Sequence, residues 1–143
     1  MTVELIRALR AEGGTLARLT HDNGHSAAEP SPAQIASAGP RVAGREQEYE
    51  LLLEMIFEGS LLHYGTPRVI RTDDRDLALL LGDQLYALGL ARLARLGDLD
   101  AVATLAEVIS QLAQAHAEGE PGRARAIWEA GARTICWGEE RPS

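Results

Sequence analysis

Eight leucines between positions 77 and 93 constrain this chain most: Leu77, Leu79, Leu80, Leu81, Leu85, Leu88, Leu90 and Leu93. No proline interrupts them, so residues 73–96 read as one helix, with Thr72 as its expected N-cap. On a 3.6-residue period these leucines point in every direction. A helix that is apolar all round is buried on several sides. It is therefore expected to be the central helix of the domain, or of a domain plus its partner.

The flanking segments are helical as well. Residues 45–64 carry strong helix formers up to the break at Gly65-Thr66-Pro67. Residues 99–117 show one apolar stripe, Val102, Leu105, Ile109, Leu112 and His116, with Asp98 as the cap. Residues 121–136 form a last helix anchored by Ile127, Trp128 and Ile135. No stretch alternates with period two, so the fold class is all-α, an antiparallel helical bundle. Residues 1–22 are an N-terminal helical segment weakened at Gly13-Gly14. Residues 23–44 are a Pro/Ala/Gly-rich connector, where Ser31 and Pro32 start one possible helical turn. Residues 45–138 are the core domain and 139–143 a tail.

Composition removes several function classes. The 143 residues suit one core, and a net charge of -7 disfavours nucleic acid. All 14 basic residues are arginine, which excludes a Schiff-base or P-loop lysine. A single cysteine, Cys136, excludes an internal disulfide and a Cys-pair zinc site; it reads as a small core residue. No apolar run approaches the roughly 20 residues of a membrane span, and residues 1–9 lack signal-peptide character. The expectation is a cytoplasmic protein without a transmembrane segment.

The polar clusters each have two readings. Asp73, Asp74 and Asp76 suggest magnesium-diphosphate chemistry, but their spacing suits helix capping better. Glu50, Glu54 and Glu58 recur every four residues, as carboxylates of a small magnesium-dependent diphosphate or nucleotide hydrolase would. A solvated acidic face is the plainer reading. His21 and His25 flank the turn signal Asn23-Gly24, so an exposed turn is preferred to a metal pair. His116 reads as a core-edge histidine with one nitrogen satisfied. Asp83 lies inside the leucine helix and is expected to be buried and paired. Gly82 beside it implies close approach of another helix. Arg68, Arg71 and Arg75 are a possible anion patch, against scattered surface charge. No residue is assigned a catalytic or metal-binding role.

The run Leu79-Leu80-Leu81-Gly82-Asp83-Gln84-Leu85-Tyr86-Ala87 resembles the leucine-rich Gly-Asp helix of trans-isoprenyl diphosphate synthases. Leu61-Leu62-His63 resembles the end of that family's first metal-binding helix. Arg95-Leu96-Gly97-Asp98 fits the loop after the Gly-Asp helix. Leu105-Ala106-Glu107 with Ile109, Leu112 and Ala113 resembles the helix after it. The likeness spans residues 45–118, about half of the chain. The family's first aspartate-rich motif is absent, because Tyr64-Gly65 follows His63, and the second would lie beyond Ser143. The resemblance therefore implies a truncated synthase-like fold without catalysis of its own. It is similar to the small subunit of heterodimeric long-chain prenyl diphosphate synthases, a pseudoenzyme that helps set product chain length. The implied partner is a larger catalytic subunit, which would hold the magnesium; this chain would need no cofactor. Leu77, Leu80, Leu81, Gly82, Asp83, Leu85 and Leu88 would then face that partner or the prenyl chain. A homodimeric interaction module is the alternative partner arrangement.

Overall fold

A computed structural model describes residues 2–21 and 39–138. Most of the connector, with His25 and the turn at Ser31, and the tail at 139–143 lie outside them. The described residues are all-helical. Six α-helices follow in order: α1 (Thr2–Glu12), α2 (Gly14–Arg18), α3 (Glu46–Tyr64), α4 (Arg75–Arg95), α5 (Leu99–Ala117) and α6 (Ala124–Trp137). Single 3-10 turns at Pro40–Val42 and Pro121–Arg123 precede α3 and α6. The last α-helix thus begins three residues later than expected, because the proline opens a tighter turn first.

The helix starts follow their capping chemistry. Asp98 caps α5 as expected, accepting from the Ala101 amide at 3.1 Å. The cap of α4 is Asp74, not Thr72: its carboxylate accepts from the Leu77 amide at 3.1 Å. Thr72 instead accepts from the Asp74 amide through Oγ1, also at 3.1 Å, and shapes the approach. The aspartate cluster therefore caps a helix, as its spacing suggested.

The central helix is α3 rather than the leucine-rich α4. Leu52, Leu53 and Ile56 of α3 enter one core with α5 and α6, including Leu105, Leu112 and Trp128. Met55 and Leu62 enter a second core with Leu5, Leu9 and Leu16 of α1 and α2, and with Leu81 and Leu85 of α4. Helix α4 also enters both cores, through Leu93 in the first and Leu81 and Leu85 in the second, but α3 buries ten residues to its six. Helix α4 is buried on one side only. It is nonetheless long and apolar enough to cross a membrane by length and composition, as core helices also can be, and 33% of that stretch is buried within the chain.

The N-terminal segment is tied to the loop after α3. An isolated antiparallel bridge joins Thr20 and Ile70. The His21 amide donates to the Val69 carbonyl at 2.7 Å, and the Arg71 amide to the Leu19 carbonyl at 3.0 Å.

Residues 39–42 close the other core. Val42 is buried there, and Arg41 grips Asp98 with two hydrogen bonds, of 2.6 and 2.7 Å. Arg41 also donates to the Ile135 carbonyl at 2.7 Å, and the Tyr49 hydroxyl donates to Asp98 at 2.8 Å. The Arg41 hydrogen bonds hold the Asp98 carboxyl down at about 2, with help from Tyr49 and the Ala101 amide. Burial, reinforced by the bond to Asp98, pushes Tyr49 up to about 12. Burial likewise pushes the Cys136 thiol up to about 12, in keeping with a core role.

Because the Asp98 value is lowered on folding, its contribution is complete above the unfolded value near 4 and is lost as pH falls toward about 2. Asp98→Asn is predicted to flatten the acid limb of the thermal stability profile in that window. Circular dichroism melts at stepped pH test this, and an unchanged acid limb would refute it.

Candidate functional site

Helices α3 and α4 run antiparallel and touch backbone to backbone. Gly59 of α3 meets Gly82 of α4: a Cβ built on Gly59 would lie 2.9 Å from the Gly82 carbonyl oxygen. A Cβ on Gly82 would lie 3.0 Å from the Gly59 carbonyl oxygen and 2.6 Å from His63 Cδ2. Two glycines at one crossing allow this approach, as Gly82 implied from the sequence.

The contact sets His63 beside Asp83, with Nε2 and Oδ1 2.9 Å apart. Side-chain exposure is 17% for His63 and 68% for Asp83. Asp83 is therefore paired as expected but not buried. The reason is geometric: Gly82 faces α3, and the next residue is turned by about 100° toward the outside. The carboxylate accepts, so Nε2 is the donor of this pair.

Aromatic rings extend this cluster. His63 stacks on Tyr86 with centroids 5.3 Å apart and 1° between planes. Tyr64 stacks on His116 at 4.1 Å and 14°. His116 thus sits at a core edge, but its contact is a ring stack rather than a hydrogen bond. The Tyr86 hydroxyl is buried without a hydrogen-bond partner, and burial raises its pKa. No hydroxyl or thiol among the described residues hydrogen-bonds to His63, so no nucleophile is paired with it.

The acidic row is not a solvated face. Glu58 is 0% exposed and Glu54 1%. The two Glu58 oxygens accept from the backbone amides of Arg68, Val69 and Ile70 at 2.9 to 3.1 Å, and from Arg68 Nε at 3.0 Å. Glu54 accepts from Arg68 Nη1 at 3.1 Å. The Arg68 guanidinium lies 4.9 Å from the centre of the Phe57 ring. These carboxylates fix the turn after α3 and are saturated by the protein itself. Glu50 lies one turn earlier, on the partly buried edge of the row. Among the described residues no group of three His, Cys, Asp or Glu side chains gathers to hold a metal ion.

The arginine patch does not form. Arg68 is drawn inward to the glutamates. Arg75 donates to the carbonyls of Leu62 and His63, capping the end of α3. Arg71 is exposed on the loop between them. Three arginines close in sequence thus take three different structural positions.

The leucines divide by face. Leu81 and Leu85 are buried in this chain's own second core, and Leu77 and Leu88 pack against its edge. Leu80 points outward, 66% exposed. Exposed residues from there to the end of the helix include Asp83, Gln84, Ala87, Ala91 and Ala94. At 100° per residue, these six share one face. Sequence reading missed this outer stripe, because the alanines were hidden among the leucines.

No family model matches the chain, and neither a curated protein nor a solved structure matches it.

Proposed function

We propose that this chain acts by association, as a non-catalytic helical subunit that joins its partner through the outer face of α4. The observation that carries this is the stripe Leu80, Ala87, Ala91 and Ala94, exposed along one side of a 21-residue helix. A solvent-facing helix side ordinarily carries charge. Here the charges are Asp83, which His63 already partners, and Arg95 at the border of the face in the last turn. Alanines permit close approach of another helix, and Leu80 supplies a protruding anchor. The saturation of Glu54 and Glu58 by Arg68 and backbone amides supports a role without metal chemistry on that row.

The resemblance of residues 79–87 to the Gly-Asp helix assigns the partner to a trans-prenyl diphosphate synthase. In this reading the chain is the small pseudoenzyme subunit, in a cytoplasmic heterodimer for isoprenoid biosynthesis. The partner holds the magnesium, and this chain influences product chain length. A second copy is the rival partner. The stripe has its large residue at one end and its alanines toward the other, so antiparallel copies would set each Leu80 against the other's alanines.

Sedimentation at micromolar concentration, alone and with a full-length long-chain synthase, separates the two readings. Association is predicted to weaken at least about tenfold in Leu80→Glu with Ala87→Glu, because a buried unpaired charge opposes the contact. A monomer that neither binds the synthase nor alters its products would end both readings.

A further inference from the structure

A cleft of about 440 Å³ opens at the C-terminal end of α4, where it meets α1 and α3. That volume lies within the range of small-molecule sites. Its apolar surface comes from Leu51 and Leu96, with the buried Leu52 beneath them, at the seam between the two cores. Two cations from the last turn of α4, Arg92 and Arg95, line it together with two anions, Glu4 of α1 and Glu48 of α3. Glu4 reaches Arg7 on its own helix at 3.5 Å, an exposed contact. Glu48, Arg92 and Arg95 form no ion pair among the described residues, although they border one cleft. The first turn of α3, which also borders it, has no side-chain cap.

We propose that this cleft binds a small zwitterion with an apolar body, of the size and chemistry of a free aliphatic or aromatic amino acid. The arginines receive its carboxylate, where guanidinium forks match the geometry. Glu48 and Glu4 receive its ammonium, and the leucines cover its side chain. A simple anion would meet the glutamates and a simple cation the arginines. A charge-neutral ligand that presents both charges satisfies both groups.

Isothermal titration calorimetry with the full chain tests the assignment. L-Leucine or L-phenylalanine is expected to bind saturably. N-acetyl-L-leucine lacks the ammonium and L-leucinamide lacks the carboxylate, and each is expected to bind at least about tenfold more weakly. Arg92→Gln with Arg95→Gln should abolish binding while the melting temperature stays unchanged; Glu48→Gln should weaken L-leucine and L-leucinamide, which carry the ammonium, and leave the residual binding of N-acetyl-L-leucine, which lacks it, unchanged. Absence of binding by both amino acids, equal binding of the three leucine compounds, or binding that survives the double arginine variant would each overturn the proposal. None of the six stripe residues lines the cleft, so its failure leaves the association reading intact.

Discussion

Replacing Glu58 with alanine is expected to destabilise the protein by about 3 to 5 kcal/mol, the cost of breaking a buried ion pair from one side. Glu58 is fully buried and accepts from three consecutive backbone amides as well as Arg68. Without the carboxylate those amides lose their acceptor in a place that water does not readily reach, and each buried orphan costs about 1 to 3 kcal/mol. Arg68 retains Glu54, which limits the loss. Domains of this size are stable by about 5 to 15 kcal/mol, so the change removes a large share. The melting temperature should fall by about 10 °C or more. Glu58→Gln keeps one acceptor oxygen and should lose less. Urea denaturation supplies the free energies; a loss under about 1 kcal/mol for Glu58→Ala would show that the turn does not depend on this carboxylate. Hydrogen exchange gives a local check. The Val69 and Ile70 amides should lose protection, and the bridge from Ile70 to Thr20 should loosen with them.

The helices were legible because their determinants are local. Asp98 before Leu99 and the stripe through Leu105 and Leu112 place α5 at the expected residues. The break at Gly65-Thr66-Pro67 likewise ends α3 after Tyr64. What failed to read was which face each helix presents. Leucine count suggested α4 as the centre, yet centrality depends on how much of a helix its neighbours cover, and α3 is buried at ten positions, Glu54 and Glu58 among them, where α4 is buried at six. The glutamate row illustrates the same limit. Spacing places Glu54 and Glu58 on one face of α3, but only the return of the chain at residues 68–70 turns that face inward. Three amides and a guanidinium then make burial of the carboxylates tolerable. Asp83 erred in the opposite direction. Its leucine neighbours suggested burial, while the glycine before it had already taken the inward position.

The site itself was half visible. Gly82 implied a helix contact, but the matching Gly59 drew no notice among the apolar residues of α3. His63 and Asp83 are 20 residues apart in sequence, and their pairing follows only once that crossing is known. Arg41 was hidden in the connector, where nothing local predicts a grip on Asp98 across 57 residues.

Gly59→Val carries the second large expected effect, about 3 kcal/mol of destabilisation, at the upper end for overpacking a core. A Cβ on Gly59 would sit 2.9 Å from the Gly82 carbonyl oxygen and 3.0 and 3.1 Å from two Tyr86 ring carbons. A ring can rotate away, but a carbonyl inside α4 moves only with its helix. Valine offers little compensation, since its helix propensity exceeds that of glycine by well under about 1 kcal/mol. Gly122→Ala provides the contrast: nothing lies within 4 Å of a Cβ there, so it should be neutral or stabilise by up to about 1 kcal/mol. Spreading α3 from α4 also draws His63 away from Asp83 and unstacks it from Tyr86. Asp83 would then stand on the outer stripe without its partner, and the proposed association should weaken even though no stripe residue was changed. A Gly59→Val protein with wild-type stability would mean that the two helices do not meet at this glycine pair. A destabilised one that still associates normally would place the contact elsewhere than the face of α4 beside Asp83.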